Sequence, residues 1–168
     1  MILTQKAGVT GATLIETTIA ACTSALFLGS LFSMNMTAMK TIRTAREAAS
    51  ASQVLQQRIE GLRIANWHQI TNADWVSANL LGASAAGSEG LKAMTETLTL
   101  VPYDSATIGN TQIVRSGATT TIVNRNTGLL AESALKVIWT VVYSGGMNSQ
   151  STTRQTVAIV AKGGVAKW

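Results

Sequence analysis

The stretch from residue 12 to residue 36, ATLIETTIAACTSALFLGSLFSMNM, decides the architecture of this chain. From Thr17 to Met39 it carries no charged side chain, and most of its residues are apolar or small. Residues 12–34 as a helix would be about 35 Å long, at about 1.5 Å per residue, which is enough to cross a bilayer. We therefore expect residues 12–36 to form a single membrane-spanning helix.

The composition of the whole chain limits what else it contains. Its 168 residues correspond to about one compact domain. Only 12% of the residues are charged and 46% are hydrophobic, which argues against a disordered acidic chain. One Cys and one His exclude an internal disulfide and a His/Cys zinc site. The net charge of +5 is dispersed and does not by itself imply nucleic acid, so DNA binding stays open.

Glu16 is the anomaly in the apolar stretch. A carboxylate within a membrane span is costly and is a functional hypothesis by default. An ordinary secretory signal peptide has basic residues directly before a short apolar region and a small-x-small site after it. Here the only early base is Lys6, and Glu16 lies inside the apolar run. The segment therefore does not fit a cleaved secretory signal.

The string Gly11-Ala12-Thr13-Leu14-Ile15-Glu16 resembles the processing motif of the type IV prepilin family, in which glutamate stands five residues after a glycine. The resemblance implies a cytoplasmic leader peptide, residues 1–11, which prepilin peptidase removes after Gly11. It also implies methylation of the new amine, although Ala12 replaces the usual phenylalanine and its methylation stays open. The implied partners are other pilin subunits, the prepilin peptidase/methylase and, before assembly, membrane lipid. The resemblance implies no cofactor and no metal.

Cleavage would give Ala12 a charged amine. A buried ammonium and a buried carboxylate are each prohibitive alone but tolerable as a pair. A neighbouring subunit displaced by about one helical turn would bring Glu16 of one chain to Ala12 of the next. Ala12 and Glu16 are therefore the predicted assembly charge pair, and within one chain their i, i+4 spacing lets them satisfy each other.

A row of small residues runs along the same predicted helix at every fourth position. Rows of this kind let membrane helices approach closely, so we predict a helix-packing face here. The row consists of Thr17, Ala21, Ala25, Gly29 and Ser33.

The orientation of the span rests on the processing motif. Lys40, Arg43 and Arg46 directly follow the span and, by the positive-inside rule, favour the opposite orientation. We follow the motif, which implies a single-pass inner-membrane protein with a cytoplasmic N-terminus and an exported head.

Residues 37–66 are predicted to continue the helix as an amphipathic stem. The segment lacks proline, contains only one glycine, Gly61, and spaces its apolar residues as a helix does. Arg58, together with neighbouring glutamines, is expected on its solvated face. The predicted apolar face comprises Met39, Ile42, Ala45, Ala49, Leu55, Ile59 and Leu62.

Residues 67–91 are predicted to be a connecting loop region on the surface, with a short helix around Asp74 to Leu81. In residues 92–168 the apolar period becomes two, which predicts an antiparallel β head. Gly145-Gly146 indicates a hairpin between its last two strands. The expected strands are Thr95–Val101, Thr111–Arg115, Thr120–Val123, Ala134–Tyr143 and Thr153–Ala161. The predicted fold is therefore α+β and pilin-like: a long N-terminal helix packed on four or five antiparallel strands.

The sequence does not predict an enzyme. The only His, His68, and the only Cys, Cys22, are far apart, and the acids Glu96, Asp104 and Glu132 are scattered. The aromatic residues Trp75, Trp139 and Tyr143 are expected in the core and not as a ligand platform.

The favoured function is that of a structural subunit, with a minor subunit preferred to a major one, of a type IV pilus or related pseudopilus. A type II secretion pseudopilin is a variant of the same class. The alternative from another class is a membrane-anchored ligand-binding protein that never polymerises.

Overall fold

The computed structural model describes residues 13–103, 109–145 and 150–163. The protein has an α+β fold in which a long N-terminal helix, α1, packs against a five-stranded antiparallel sheet. The helical elements are α1 (Leu14–Ile64), α2 (Trp67–Thr71), α3 (Ala73–Trp75), a π-helical turn (Val76–Leu80), and 3-10 turns at Ser88–Gly90 and Thr127–Ala131. The strands are β1 (Lys92–Pro102), β2 (Thr111–Ser116), β3 (Thr119–Asn124), β4 (Ala134–Gly145) and β5 (Gln150–Ala161).

The chain divides into two compact units between Thr41 and Ile42, within α1. In the first unit the described side chains are exposed, including Leu26, Phe27 and Phe32. The helix has a window of mean hydropathy 1.5 near the N-terminus, and it is long and apolar enough to cross a membrane. Exposed apolar surface of this extent needs lipid or protein to cover it.

The sheet has the strand order β3-β2-β1-β4-β5, and all neighbouring strands are antiparallel. The predicted C-terminal hairpin is present as an unbroken ladder from Ala134 opposite Ala161 to Gly145 opposite Gln150. Its connecting residues 146–149 lie outside the described residues. The prediction of four or five antiparallel strands is confirmed with five.

The hydrophobic core lies between the inner face of the sheet and the second unit's part of α1. Alternation along β4 turns Leu135, Val137, Trp139, Val141 and Tyr143 inward, each 3% exposed or less. Trp139 and Tyr143 are thus core residues, as expected. Trp75 is partly buried and packs against the same core.

The stem helix buries a different face from the predicted one. Ile42, Ala45 and Ala49 were expected to face the head, but all three are exposed. Leu55 and Leu62 are buried as predicted and Ile59 partly so, and the remaining buried positions of α1 are Glu47, Ala51, Val54 and Arg58. The prediction that Arg58 is solvated is wrong. The hydropathy pattern missed this face because two of its members are charged.

The expectation that residues 67–91 form a surface connection is also wrong. Most of its large apolar residues are buried and complete one end of the core, and the predicted short helix appears as α3 followed by the π-helical turn. The buried residues of this segment are Ile70, Ala73, Val76, Leu80, Leu81, Ala85 and Leu91.

Candidate functional site

The described part of the processing motif, Thr13 to Glu16, lies at the start of α1. Gly11 and Ala12 lie outside the described residues, so the cleavage site and the amine of the predicted charge pair have no structural description. Thr13 directly precedes the helix, and its Oγ1 accepts a hydrogen bond from the backbone N–H of Glu16 at 3.3 Å. Thr13 is therefore the N-cap of α1, and it satisfies one of the unpaired donors of the first turn.

Glu16 occupies the third position of the helix and is exposed. Threonine followed three residues later by glutamate is the spacing of a capping box, and an acid in the first turn complements the helix dipole. The sequence interpretation assigned Glu16 to the charge pair and overlooked this local role. The four letters Thr13-Leu14-Ile15-Glu16 carry both signals.

The apolar members of the motif are open to their surroundings. Leu14 is 84% and Ile15 70% exposed. The carbonyl of Leu14 accepts hydrogen bonds from the hydroxyls of Thr17 and Thr18, at 2.9 and 2.8 Å. The first turn of α1 thus presents apolar side chains outward and satisfies its hydroxyls internally.

The same arrangement recurs along the apolar part of α1. The hydroxyl of Thr23 donates to the carbonyls of Ile19 and Ala20, and that of Ser30 donates to Phe27. A hydroxyl bonded to the preceding turn removes an unsatisfied donor, which is needed where no water is available. The hydroxyls of Thr23 and Ser30 are therefore compatible with a hydrocarbon environment.

The predicted packing row lies on this exposed helix. Ala21, Ala25 and Ser33 are exposed, as is Thr17, whose hydroxyl is turned to its own backbone. A Cβ added at Gly29 would meet nothing within 4 Å. The row is open within a single chain, and its packing against another helix stays a prediction.

A second polar constellation lies inside the head and was not predicted. Glu96 on β1 is fully buried and accepts from Arg58 on α1 at 2.8 Å (Nε to Oε2) and 2.9 Å (Nη2 to Oε1). Arg115 on β2 donates to the same Oε1 at 3.0 Å. Glu96 and Arg115 stand opposite each other in the β1–β2 ladder, which explains why they meet. We call Arg58, Glu96 and Arg115 the buried ion triad.

The buried ion triad also holds the segment between the π-helical turn and β1. Arg58 donates to the carbonyls of Leu80 and Ala83, and Arg115 donates to the hydroxyl of Ser84 at 2.8 Å. The guanidinium carbon of Arg58 lies 5.9 Å from the centre of the Trp139 ring, within cation–π range. The triad thus links the helix, two strands and the connecting segment.

The triad carries two positive charges and one negative charge. Such a buried group is tolerable only when its hydrogen bonds are satisfied. Guanidinium N–H groups of Arg58 and Arg115 that do not bond to Glu96 donate to carbonyl and hydroxyl oxygens of residues 80–84. Among the described residues, Arg115 Nε and Trp139 Nε1 are buried without a hydrogen-bond partner.

The residues considered for catalysis are dispersed. His68 is exposed on α2, Cys22 is exposed on α1, and Asp104 lies outside the described residues. Within the described ranges, no three His, Cys, Asp or Glu side chains are grouped to hold a metal ion.

The comparisons with known proteins gave no match. No family model matches the chain, and neither a curated protein nor a solved structure matches it. A functional interpretation therefore depends on the motif at Gly11–Glu16, the exposed apolar helix and the head that follows it.

Proposed function

We propose that this chain is a prepilin-like structural subunit, processed after Gly11 and assembled into a type IV pilus or related pseudopilus through its N-terminal helix. The observation that carries the proposal is that Glu16 follows Gly11 by five residues in the sequence and lies in the first turn of α1. The next 23 residues of that helix, Thr17 to Met39, carry no charge. The minor-subunit interpretation belongs to the same proposal.

Three properties of α1 support this proposal. The part of α1 in the first unit is apolar and exposed within one chain. A helix that lies first in a membrane and later among copies of itself needs such a surface. The hydroxyls of Thr17, Thr23 and Ser30 bond to the helix backbone, which suits both environments. Its row of small residues would allow close approach of neighbouring helices.

In the proposed mechanism, Glu16 selects the position of the incoming subunit. The ammonium of Ala12 on one chain and the carboxylate of Glu16 on another are both removed from water when helices pack together. Leaving either one unpaired costs roughly 3–5 kcal/mol, so an arrangement that pairs them is strongly preferred. The pair would set the helix offset more than it would add net stability.

The decisive experiment compares three side chains at residue 16. Glu16→Gln retains the length and hydrogen-bonding capacity that a capping box requires but removes the charge. Glu16→Ala removes both. If the charge pair governs assembly, both variants insert into the membrane and fold but fail to form fibres, whereas wild type assembles.

The same comparison tests the local role of Glu16. If Glu16 acts only by capping α1, Glu16→Gln assembles normally, and the charge-pair part of the proposal is wrong. Mass spectrometry of the native N-terminus tests the processing step independently. A start at Ala12, with or without one methyl group, supports the proposal, and an intact Met1 contradicts it.

The second candidate function is a membrane-anchored ligand-binding protein. The folded head behind a single apolar helix fits it equally well, and it requires neither processing nor Glu16. The Glu16→Gln variant of an anchored receptor would still bind its ligand. Its molecules would be found in the membrane and not in fibres.

A further inference from the structure

The outer face of the sheet, opposite α1, has an unusual composition for a face exposed to solvent. Along each strand the residues that alternate with the core point outward, and most of them are uncharged and about two thirds are β-branched. In β1, β4 and β5 the outward residues are Thr95, Thr97, Thr99 and Val101, then Lys136, Ile138, Thr140, Val142 and Ser144, then Ser151, Thr153, Gln155, Val157, Ile159 and Ala161. In β2 and β3 they include Gln112, Val114, Ser116, Thr119 and Thr121.

Among the described outward residues the charged ones are Lys136 and, at the start of β1, Lys92, which stands opposite the outward residue Ser144. The solvated face of an antiparallel sheet ordinarily carries polar residues. The most apolar part of the face lies at β4 and β5. Ile138 stands opposite Val157 in the ladder, and Val157 and Ile159 are 51% and 60% exposed. An exposed apolar patch with polar residues around it is the kind of surface that marks an interaction site.

The face is also large enough for a stable contact. The β4–β5 ladder runs through 12 residue pairs without a register shift, and the shift in the β1–β4 ladder lies at its end, between Lys92 and Thr95. Strands of 11, 6, 6, 12 and 12 residues cover about 740 Å² of sheet, at about 3.3 Å per residue and 4.8 Å between strands. A standard protein interface buries about 800 Å² per partner.

We propose that this outer face binds the outer face of a second copy of this chain, sheet against sheet. A strongly charged partner would have its charges desolvated against uncharged side chains, whereas an identical face is matched in chemistry and area. β-Branched side chains on two facing sheets interdigitate at a spacing of about 10 Å.

The inference is independent of the proposed fibre. It concerns the head alone, and neither Glu16 nor the small-residue row takes part in it. Its test therefore uses the full chain in membranes of a host without fibre-assembly machinery, and the Glu16→Gln variant should give the same result as wild type.

The experiment places a thiol at the centre of the face. In a Cys22→Ser background, Thr140→Cys is treated in the membrane with a short bismaleimide that spans two sheets packed about 10 Å apart. Thr127→Cys is the matched control, because Thr127 is exposed in the 3-10 turn beside α2, where Trp67 donates to Leu130, and not on the outer face. We expect a covalent dimer with Thr140→Cys and little with Thr127→Cys.

A second variant separates specific binding from crowding. Adding Val157→Lys to Thr140→Cys would bury a charge in the contact and should lower the dimer yield about tenfold or more, whereas Thr127→Lys should not. Val157 is half exposed, so the lysine is compatible with the folded head. Equal yields from Thr140→Cys and Thr127→Cys would overturn the proposal. So would a Thr140→Cys product that mass spectrometry identifies as a conjugate with a different protein.

Discussion

Arg58 in the stem helix donates two N–H···O hydrogen bonds, of 2.8 and 2.9 Å, to Glu96 in the central strand, and both side chains are buried. The two residues are 38 positions apart in the chain. Their contact joins α1 to the sheet at the point where the segment after the π-helical turn also meets them. The buried ion triad is thus the polar centre of the head.

Replacing Glu96 with glutamine should strongly destabilise the head. The substitution leaves the guanidinium groups of Arg58 and Arg115 buried without a counter-charge, and breaking a buried pair costs about 3–5 kcal/mol. Denaturant unfolding of the full chain in detergent micelles measures the loss. Glu60→Gln is the matched control, because the Glu60–Arg63 pair is about 60% exposed and should contribute less than about 1 kcal/mol. Equal effects of the two substitutions would contradict the structural importance of the triad.

Arg58→Lys should be destabilising even though the charge is retained. Lysine cannot reproduce the planar fork that donates to both oxygens of Glu96 and to the carbonyls of Leu80 and Ala83. We expect a loss of about 2 kcal/mol, with faster hydrogen exchange at residues 80–86 as those contacts loosen. Arg63→Lys on the exposed part of the same helix should change neither quantity. Unaltered exchange at residues 80–86 in Arg58→Lys would show that another contact holds the segment.

Gly87→Ala should cost more than Gly117→Ala, although both glycines have positive φ, at +89° and +60°. The conformation alone costs about 1–2 kcal/mol for a residue with a Cβ. At Gly87 the added Cβ would also lie 3.0 Å from the backbone oxygen of Ser50, whereas at Gly117 it would meet nothing within 4 Å. Denaturant midpoints of the two variants measure the difference. Equal losses would mean that the segment shifts away from α1 without cost.

The surface pair of Asp74 and Arg125 should give a pH-dependent contribution to stability. Arg125 Nη1 donates to Asp74 Oδ2 at 2.6 Å, and this hydrogen bond holds the pKa of Asp74 below its ordinary value of 3.8. A lowered pKa in the folded state stabilises the head above the unfolded pKa, and the contribution disappears as the pH falls through the folded-state value. Wild type should therefore melt above Asp74→Asn at pH 7, by a small margin because the pair is exposed.

The margin between wild type and Asp74→Asn should vanish at pH values below the lowered pKa of Asp74. It should also shrink at about 1 M salt, because the Debye length falls to about 3 Å and the attraction between exposed charges is weakened. Thermal melts at several pH values give both readouts. A margin that is independent of pH would show that the charge of Asp74 does not contribute to the difference.

Several elements were predictable because their signals are local. The apolar stretch and the lack of proline through residue 66 predicted α1 to within two residues at each end. The period-two pattern after residue 92 and the glycines at 145 and 146 predicted the strands and the C-terminal hairpin. The processing motif is also local, since it consists of six consecutive residues, and its chemical role stays a prediction.

The buried face of the stem and the burial of residues 67–91 depend on tertiary contacts, which the sequence pattern did not predict. Charged residues ordinarily indicate a solvated face, and nothing near Arg58 in the sequence indicates that Glu96 and Arg115 will stand beside it. Strand pairing and helix packing bring these three charged residues together. By itself, the sequence determined which segments are apolar helix and which are strand, because those preferences depend on neighbouring residues. The pairing of buried charges depends on residues that meet only after folding.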